Sequence, residues 1–307
     1  MTKEPVSPIA QTKNLLQAMR PAQWTKNVIL FAAFVFGYGD RSLHITWQDG
    51  LQVVPAFLLF SLAASAVYLF NDIIDLPQDR QHPTKKYRPI AAGKISLRFV
   101  RMAVIIMLLV SISLAYALSI PFARILIIYL ILQGTYSLVL KRVALLDVFV
   151  IAAGFVLRAI AGAALLAIPI SPWLLVCTFL LALFLALCKR RHEKASIEAG
   201  ASARQRVALQ KYDLLLTDQL ISIVAGATSV CYAIYTLWPE TIEKFGSYYL
   251  AYTIPIVLFG IFRYLDLLYR ENKGDRPEHV LLTDIPIILT LITYAVSVLA
   301  LFTFFQP

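Results

Sequence analysis

Nine stretches of this chain are long and apolar enough to leave it few ways to fold. They run over roughly 21–39, 51–72, 98–118, 121–140, 144–168, 171–188, 217–239, 246–268 and 280–304. A helix that crosses a bilayer needs about 20 mostly apolar residues, and these segments match that length. Backbone polar groups in hydrocarbon must be satisfied within the spanning structure, and runs this long do not suit barrel strands. The expected fold is therefore all-α, a polytopic bundle of nine transmembrane helices. A hydrophobic content of 59%, a charged content of 15% and a mean hydropathy of +0.72 agree with it. The polar connections leave no room for a soluble domain. Residues 1–307 are read as one integral-membrane domain, with 1–20 a cytoplasmic N-terminal segment and 21–307 the bundle.

The formal net charge of +10 invites a nucleic-acid reading, but the placement of the charge opposes it. With alternating spans and a cytoplasmic N-terminus, the basic residues fall on one side. That side holds Lys3, Lys13, Arg20 and Lys26, then seven between Arg80 and Arg101, then Lys141 and Arg142. Seven more lie between Lys189 and Lys211, and four between Arg263 and Arg276. Only Arg41, Arg124 and Lys244 fall outside, and Arg158 lies within a span. This asymmetry is the positive-inside signature, and it predicts N-terminus in and C-terminus out in a cell (inner) membrane.

Cys177, Cys188 and Cys231 lie in apolar spans or at their ends without metal-ligand spacing, and read as buried thiols. The first apolar run begins only after Arg20-Pro21-Ala22-Gln23-Trp24, and no small-residue cleavage site follows. A cleaved signal peptide is not expected.

The chemistry is concentrated where the second apolar segment ends, in Asn71-Asp72-Ile73-Ile74-Asp75-Leu76-Pro77-Gln78-Asp79. Ionisable groups at a membrane boundary are costly unless they have a role. Residues 71, 75 and 79 are four apart and would share one helical face, with Asp72 beside them. Such an all-oxygen face suits Mg²⁺, which usually takes one or two carboxylates plus substrate phosphates. The alternative is a solvated helix end with incidental acids. Pro77 would kink this helix and move Asp79 off the shared face.

Several basic segments are predicted on the same side. The first helix is expected to start at Pro21, placing Gln23, Lys26 and Asn27 on one face; Lys26 either snorkels or faces an anionic site. The stretch His82-Pro83-Thr84-Lys85-Lys86-Tyr87-Arg88-Pro89-Ile90-Ala91-Ala92-Gly93 reads as a shaped loop. Lys141-Arg142 forms a tight turn, and Lys189-Arg190-Arg191-His192-Glu193-Lys194 leaves the sixth span. Each run alone is a topology determinant. Converging on one acidic motif, they make a cradle for phosphates.

Arg158 stands mid-span, where a charge costs at least about 2.5–3.5 kcal/mol. Asp147, eleven residues earlier, shares its helical face, and Gly154 and Gly162 thin the helix for close packing. Arg158 is either a structural arginine paired with a carbonyl or carboxylate, or an anchor for a substrate phosphate.

These residues resemble the UbiA prenyltransferase superfamily over nearly the whole chain, and within it the decaprenyl-phosphate phosphoribosyltransferase branch. The matching stretches are Arg20-Pro21-Ala22-Gln23-Trp24-Thr25-Lys26-Asn27, Tyr68-Leu69-Phe70-Asn71-Asp72, Asp79 to Lys85, and Arg88 to Gly93. Gly154 to Gly162 and Lys189-Arg190-Arg191-His192-Glu193 also match. Where other superfamily members carry a second acidic motif, this chain has that basic run with one acid.

The resemblance implies a pentosyltransferase that moves 5-phosphoribosyl from phosphoribosyl pyrophosphate to a polyprenyl phosphate, with Mg²⁺ as cofactor and a role in cell-envelope biosynthesis. It implies Asp72 and Asp75 as catalytic residues and Asn71, Asp72, Asp75 and Asp79 as metal ligands. Lys26, Tyr68, Lys85, Arg88, Lys141, Arg158, Lys189, Arg190 and Glu193 would bind substrate. Membrane lipids are the other expected partners, with the site facing the cytoplasm. Two alternatives are a UbiA-type polyprenyl diphosphate transferase with a small aromatic acceptor, and a membrane transporter. The missing second acidic motif disfavours the first. The absence of a sequence repeat, and polar clusters at one face, disfavour the second.

Overall fold

The computed structural model describes residues 8–198, 209, 211–271, 274 and 277–304. Lys3, Arg204, Arg206, Lys273 and Arg276, all counted in the charge asymmetry, lie outside the described residues. Those described are helical or in turns, with no strand among them.

The principal elements are α1 (Pro8–Ala18), a 3₁₀ helix (Pro21–Phe31) leading into α2 (Ala32–Gly39), and α3 (Trp47–Ile74). Then come α4 (Leu76–Asp79), α5 (Leu97–Leu118), α6 (Ile120–Leu138), α7 (Leu146–Leu166) and α8 (Pro172–Glu198). The chain ends with α9 (Leu214–Leu237), α10 (Pro239–Phe245), α11 (Ile254–Tyr269), α12 (Pro277–Thr283) and α13 (Ile285–Phe304).

Among the described residues, eight helical segments are long and apolar enough to cross a membrane. They correspond to the second through ninth predicted segments. The edges differ where helix formation outlasts hydropathy. α8 continues to Glu198 through the basic run, and Asp284 separates α12 from α13. Capping sets other ends: Ser96 and Ser119 accept from the third residue onward in α5 and α6, and Asp213 does the same for α9.

The first predicted segment takes an unexpected form. Its first eleven residues are 3₁₀ rather than α-helix, although 3₁₀ runs longer than three or four residues are uncommon. The neighbouring α3 explains it. Trp24 Nε1 donates to Ser65 Oγ at 2.9 Å, and three residues later Asn27 Nδ2 donates to Ser61 Oγ at 2.9 Å. Three residues of 3₁₀ helix rise about 6 Å, as do four residues of α-helix, so the two ladders stay in register. Leu30 continues the line, its carbonyl against Gly162, where a Cβ would come within 2.0 Å of Leu30 O. This winding corrects the predicted face: Asn27 joins Trp24 and is buried, while Gln23 and Lys26 stand on a neighbouring row.

Two hydrophobic clusters meet on α7. Val148 and Ala152 belong to a core shared with α8, α9 and α11, which includes Phe184, Ile221 and Leu267. Ala161 belongs to a second core with Leu30, Phe60 and Phe122. A third cluster lies near the acidic motif, where Ala18, Leu69, Ile90 and Val100 pack together. It fixes the end of α3 against the loop that follows.

Candidate functional site

The last turns of α3 bring Tyr68, Asn71 and Asp72 to one end of the bundle, and the helix stops at Asp75. Leu76 and Pro77 begin the separate turn α4, in which Asp79 is buried. Pro77 thus breaks the shared face, as the sequence predicts, and the oxygens divide into two groups.

In the first group, Asn71 Nδ2 donates to Asp75 Oδ2 at 3.0 Å, the one-turn spacing of an α-helix. Lys141 Nζ reaches both, at 2.9 Å to Asn71 Oδ1 and 2.5 Å to Asp75 Oδ1. In the second group, Arg88 donates from a single nitrogen to Asp79 Oδ2 at 2.7 Å and to Asp72 Oδ1 at 3.1 Å. Arg20 Nη2 donates to the same Asp72 oxygen at 2.5 Å, and its guanidinium lies 5.2 Å from the centre of the Tyr68 ring.

The loop that delivers Arg88 is shaped by its own sequence. His82 Nδ1 accepts from the backbone N–H groups of Thr84 and Lys85, opening a 3₁₀ turn over Lys85–Tyr87. Its ring is held below the usual 6.5 by partial burial and then by the cations Lys85 and Arg88, so the neutral acceptor form is favoured. Ile90 is buried behind Arg88, and Gly93 at φ 70° turns the chain into α5.

A divalent cation fits the donor chemistry of this cluster, which is three carboxylates and an amide oxygen. Arg88 Nη1, a cationic nitrogen, bridges Asp72 and Asp79. Among the described residues, no three acidic, His or Cys side chains converge tightly enough for one ion.

The other nominated residues lie elsewhere. Arg190 is buried and turned toward α7, where its Nε donates to Asp147 Oδ2 at 2.8 Å while Nη1 donates to Glu193. Lys189, its neighbour, is half-buried on the same helix. Tyr212 Oη donates to Asp147 Oδ1 at 2.6 Å. Burial and then that bond hold its phenol well above the usual 10, so it remains a donor.

Arg158 is enclosed. Nε donates to Asn27 Oδ1 at 2.7 Å, Nη1 to Gly154 O at 2.8 Å and Nη2 to Tyr129 Oη at 2.8 Å. The rings of Tyr129, Phe155 and Phe60 surround its charge at 4.7, 5.3 and 5.6 Å. Phe60 precedes Asp72 by twelve residues of α3, about 18 Å, so Arg158 is remote from the acids. Asp147 and Arg158 do not pair. Eleven residues of helix separate their layers by about 16 Å, and a common face does not shorten that distance.

Sequence reasoning did not nominate Arg20, Tyr129 or Tyr212. Arg20 had a signal, standing immediately before Pro21 at a helix start. Its φ of 56°, in the left-handed region, turns the chain so that its guanidinium meets Asp72. Tyr129 and Tyr212 had none, because each meets its partners only through tertiary packing.

Comparison with known proteins bears on this arrangement. The profile of the UbiA prenyltransferase family matches residues 28–283. The decaprenyl-phosphate phosphoribosyltransferase of Mycobacterium tuberculosis is 32% identical over 286 residues, spanning 92% of this chain and 91% of that protein. The enzyme of the same name from Corynebacterium glutamicum is 30% identical over 276 residues, spanning 88% and 81%. A UbiA homologue from Archaeoglobus fulgidus, solved bound to DMAPP and Mg²⁺, superposes with a TM-score of 0.69 at 18% identity. That superposition covers 94% of this chain and 99% of the homologue, and it shows a common fold.

Proposed function

This chain belongs to the UbiA prenyltransferase family, a family of membrane transferases, and on that premise we propose that it transfers 5-phosphoribosyl from phosphoribosyl pyrophosphate to a polyprenyl phosphate, releasing diphosphate. The observation that carries the reading is the likeness, over nine-tenths of the chain, to enzymes named for that reaction. The site supports it with three cations, Arg20, Arg88 and Lys141, gathered on Asn71, Asp72, Asp75 and Asp79. Such a cluster suits a polyanionic donor, because cations that hold the acids can turn to phosphate when it arrives.

In the reaction, the bond from ribose C1 to the diphosphate oxygen breaks and the diphosphate leaves with the electron pair. An oxygen of the lipid phosphate forms the new bond to C1. The acceptor is already an anion, so no side chain need remove a proton. Asn71, Asp72, Asp75 and Asp79 would hold Mg²⁺, which would neutralise charge on the departing diphosphate. Arg20, Arg88 and Lys141 add positive charge at the same end, and Lys26, Tyr68, Lys85 and Lys189 are the further residues proposed to bind substrate, while Glu193 is engaged by Arg190. Arg190 acts through Asp147 and Glu193, and Arg158 is a structural tie between the 3₁₀ helix, α6 and α7.

Nine spans are proposed for the bundle, the eight long apolar helices among the described residues and one more. The additional span is the first predicted segment, 21–39, whose 3₁₀ and α portions together reach about 34 Å, enough for a ~30 Å core. The excess of basic residues supports an N-terminus and an acidic site on the cytoplasmic side of the cell membrane.

The test uses purified protein with Mg²⁺ and two substrate pairs. One is labelled phosphoribosyl pyrophosphate with polyprenyl phosphate; the other is a labelled prenyl diphosphate with an aromatic acid. Label in a phosphoribosylated lipid is expected. Transfer only in the second reaction would replace this reading with prenyl transfer.

A further inference from the structure

One hydroxyl ties the segment before α9 to the turn between α6 and α7. Tyr212 Oη accepts the backbone N–H of Leu145 at 3.1 Å and donates to Asp147 Oδ1 at 2.6 Å. The second oxygen of Asp147 accepts from Arg190 Nε at 2.8 Å, and Arg190 also donates to Glu193. Tyr212, Asp147 and Arg190 are all buried, so the hydroxyl is anchored from both α7 and α8.

The turn it holds is strained. Leu145 has φ 66° and ψ −46°, a conformation that side chains with a Cβ rarely adopt. The residue is 40% exposed, so burial offers little compensation for the strain. Backbone strain of this kind persists only where surrounding contacts over-determine it. Four residues earlier, the same turn presents Lys141, the residue that joins Asn71 to Asp75.

We propose that Tyr212 is a positioning residue for the acidic site, its hydroxyl holding the 140–145 turn in the strained form that carries Lys141 to Asn71 and Asp75. The inference rests on that site being the reaction centre, and it assigns to residues just before α9 a control over the opposite side of the cluster. Arg190 and Asp147 fix the direction of the hydroxyl, and Leu145 N–H receives the constraint. Lys141 carries it to the acids.

Tyr212→Phe isolates the proposal, since the ring and its packing remain. Hydrogen exchange of the 140–147 amides in full-length protein reads the turn without any substrate. Exchange there is expected to rise about tenfold, as for the loss of one hydrogen bond of ~1.4 kcal/mol. Leu145→Gly removes the Cβ that makes this conformation costly, so in the double variant the turn should regain much of its protection. In turnover, Tyr212→Phe should raise the KM for phosphoribosyl pyrophosphate by about tenfold while kcat changes less than about twofold. In a Lys141→Ala background the same substitution should add almost nothing. Unchanged exchange in Tyr212→Phe, or an undiminished effect without Lys141, would overturn the proposal. If the wild-type protein fails to use these substrates while the exchange pattern holds, the substrate reading falls and the positioning role stands.

Discussion

Arg88 meets Asp79 at 2.7 Å from a separate turn, opened by Leu76 and Pro77 after α3 ends, that sets Asp79 apart from the Asn71–Asp75 pair. The same guanidinium nitrogen also serves Asp72, so one cation holds two carboxylates from two elements. Asp79 is thereby grouped with Asp72, and Asp75 with Asn71 and Lys141.

This grouping predicts how the metal site fails. Asp72→Ala and Asp75→Ala should each abolish turnover while the protein still elutes as a folded species. EDTA should do the same to the wild type, and added Mg²⁺ should restore it. Asp79→Asn should weaken Mg²⁺ dependence more mildly, raising the concentration needed for half-maximal rate. Full activity of Asp72→Ala in chelator would remove the metal reading.

Arg158 should behave as a structural residue. Replacing it with Gln leaves Asn27 Oδ1 and Tyr129 Oη without their donor in a buried layer. Each orphaned group costs about 1–3 kcal/mol, so the melting temperature in detergent should fall clearly. Activity per folded molecule should stay within about threefold of wild type, less than one charge-assisted contact would supply. A normally stable Arg158→Gln protein with no activity would return Arg158 to the substrate site.

Gly162 tests the register of the 3₁₀ helix. An alanine Cβ there would lie 2.0 Å from the Leu30 carbonyl oxygen, and backbone cannot move aside as a flexible side chain can. Gly162→Ala should destabilise the protein by about 1–3 kcal/mol through overpacking. Gly226, whose Cβ would meet nothing within 4 Å, is the control, and its alanine variant should melt at or above the wild-type temperature. Equal melting of Gly162→Ala and wild type would show that the two elements do not pack as described.

Topology can be read with single cysteines introduced after replacement of Cys177, Cys188 and Cys231. Positions Gln81 and Lys86, exposed beside the acidic motif, should label only from the cytoplasmic side. Tyr248, exposed at the other end of the bundle, should label from outside. Labelling of position 86 from outside would invert the orientation.

The sequence by itself determined the class of fold, because twenty-residue apolar runs can satisfy their backbone in lipid only as helices. It also located the acidic motif, since carboxylates at a membrane boundary stand out against apolar surroundings, and it marked Pro77 as the break that separates Asp79. Tertiary structure decided what depends on distance across the bundle. The 3₁₀ winding of residues 21–31 follows from the four-residue spacing of Ser61 and Ser65 on another helix, which no local propensity encodes. Arg158 pairs with Asn27 and Tyr129, and Asp147 with Arg190 and Tyr212, because helical periodicity fixes a residue's direction and packing fixes its depth. Lys141 reaches Asp75 across sixty-six residues of sequence through a turn whose strained conformation a sequence gives no reason to expect of leucine.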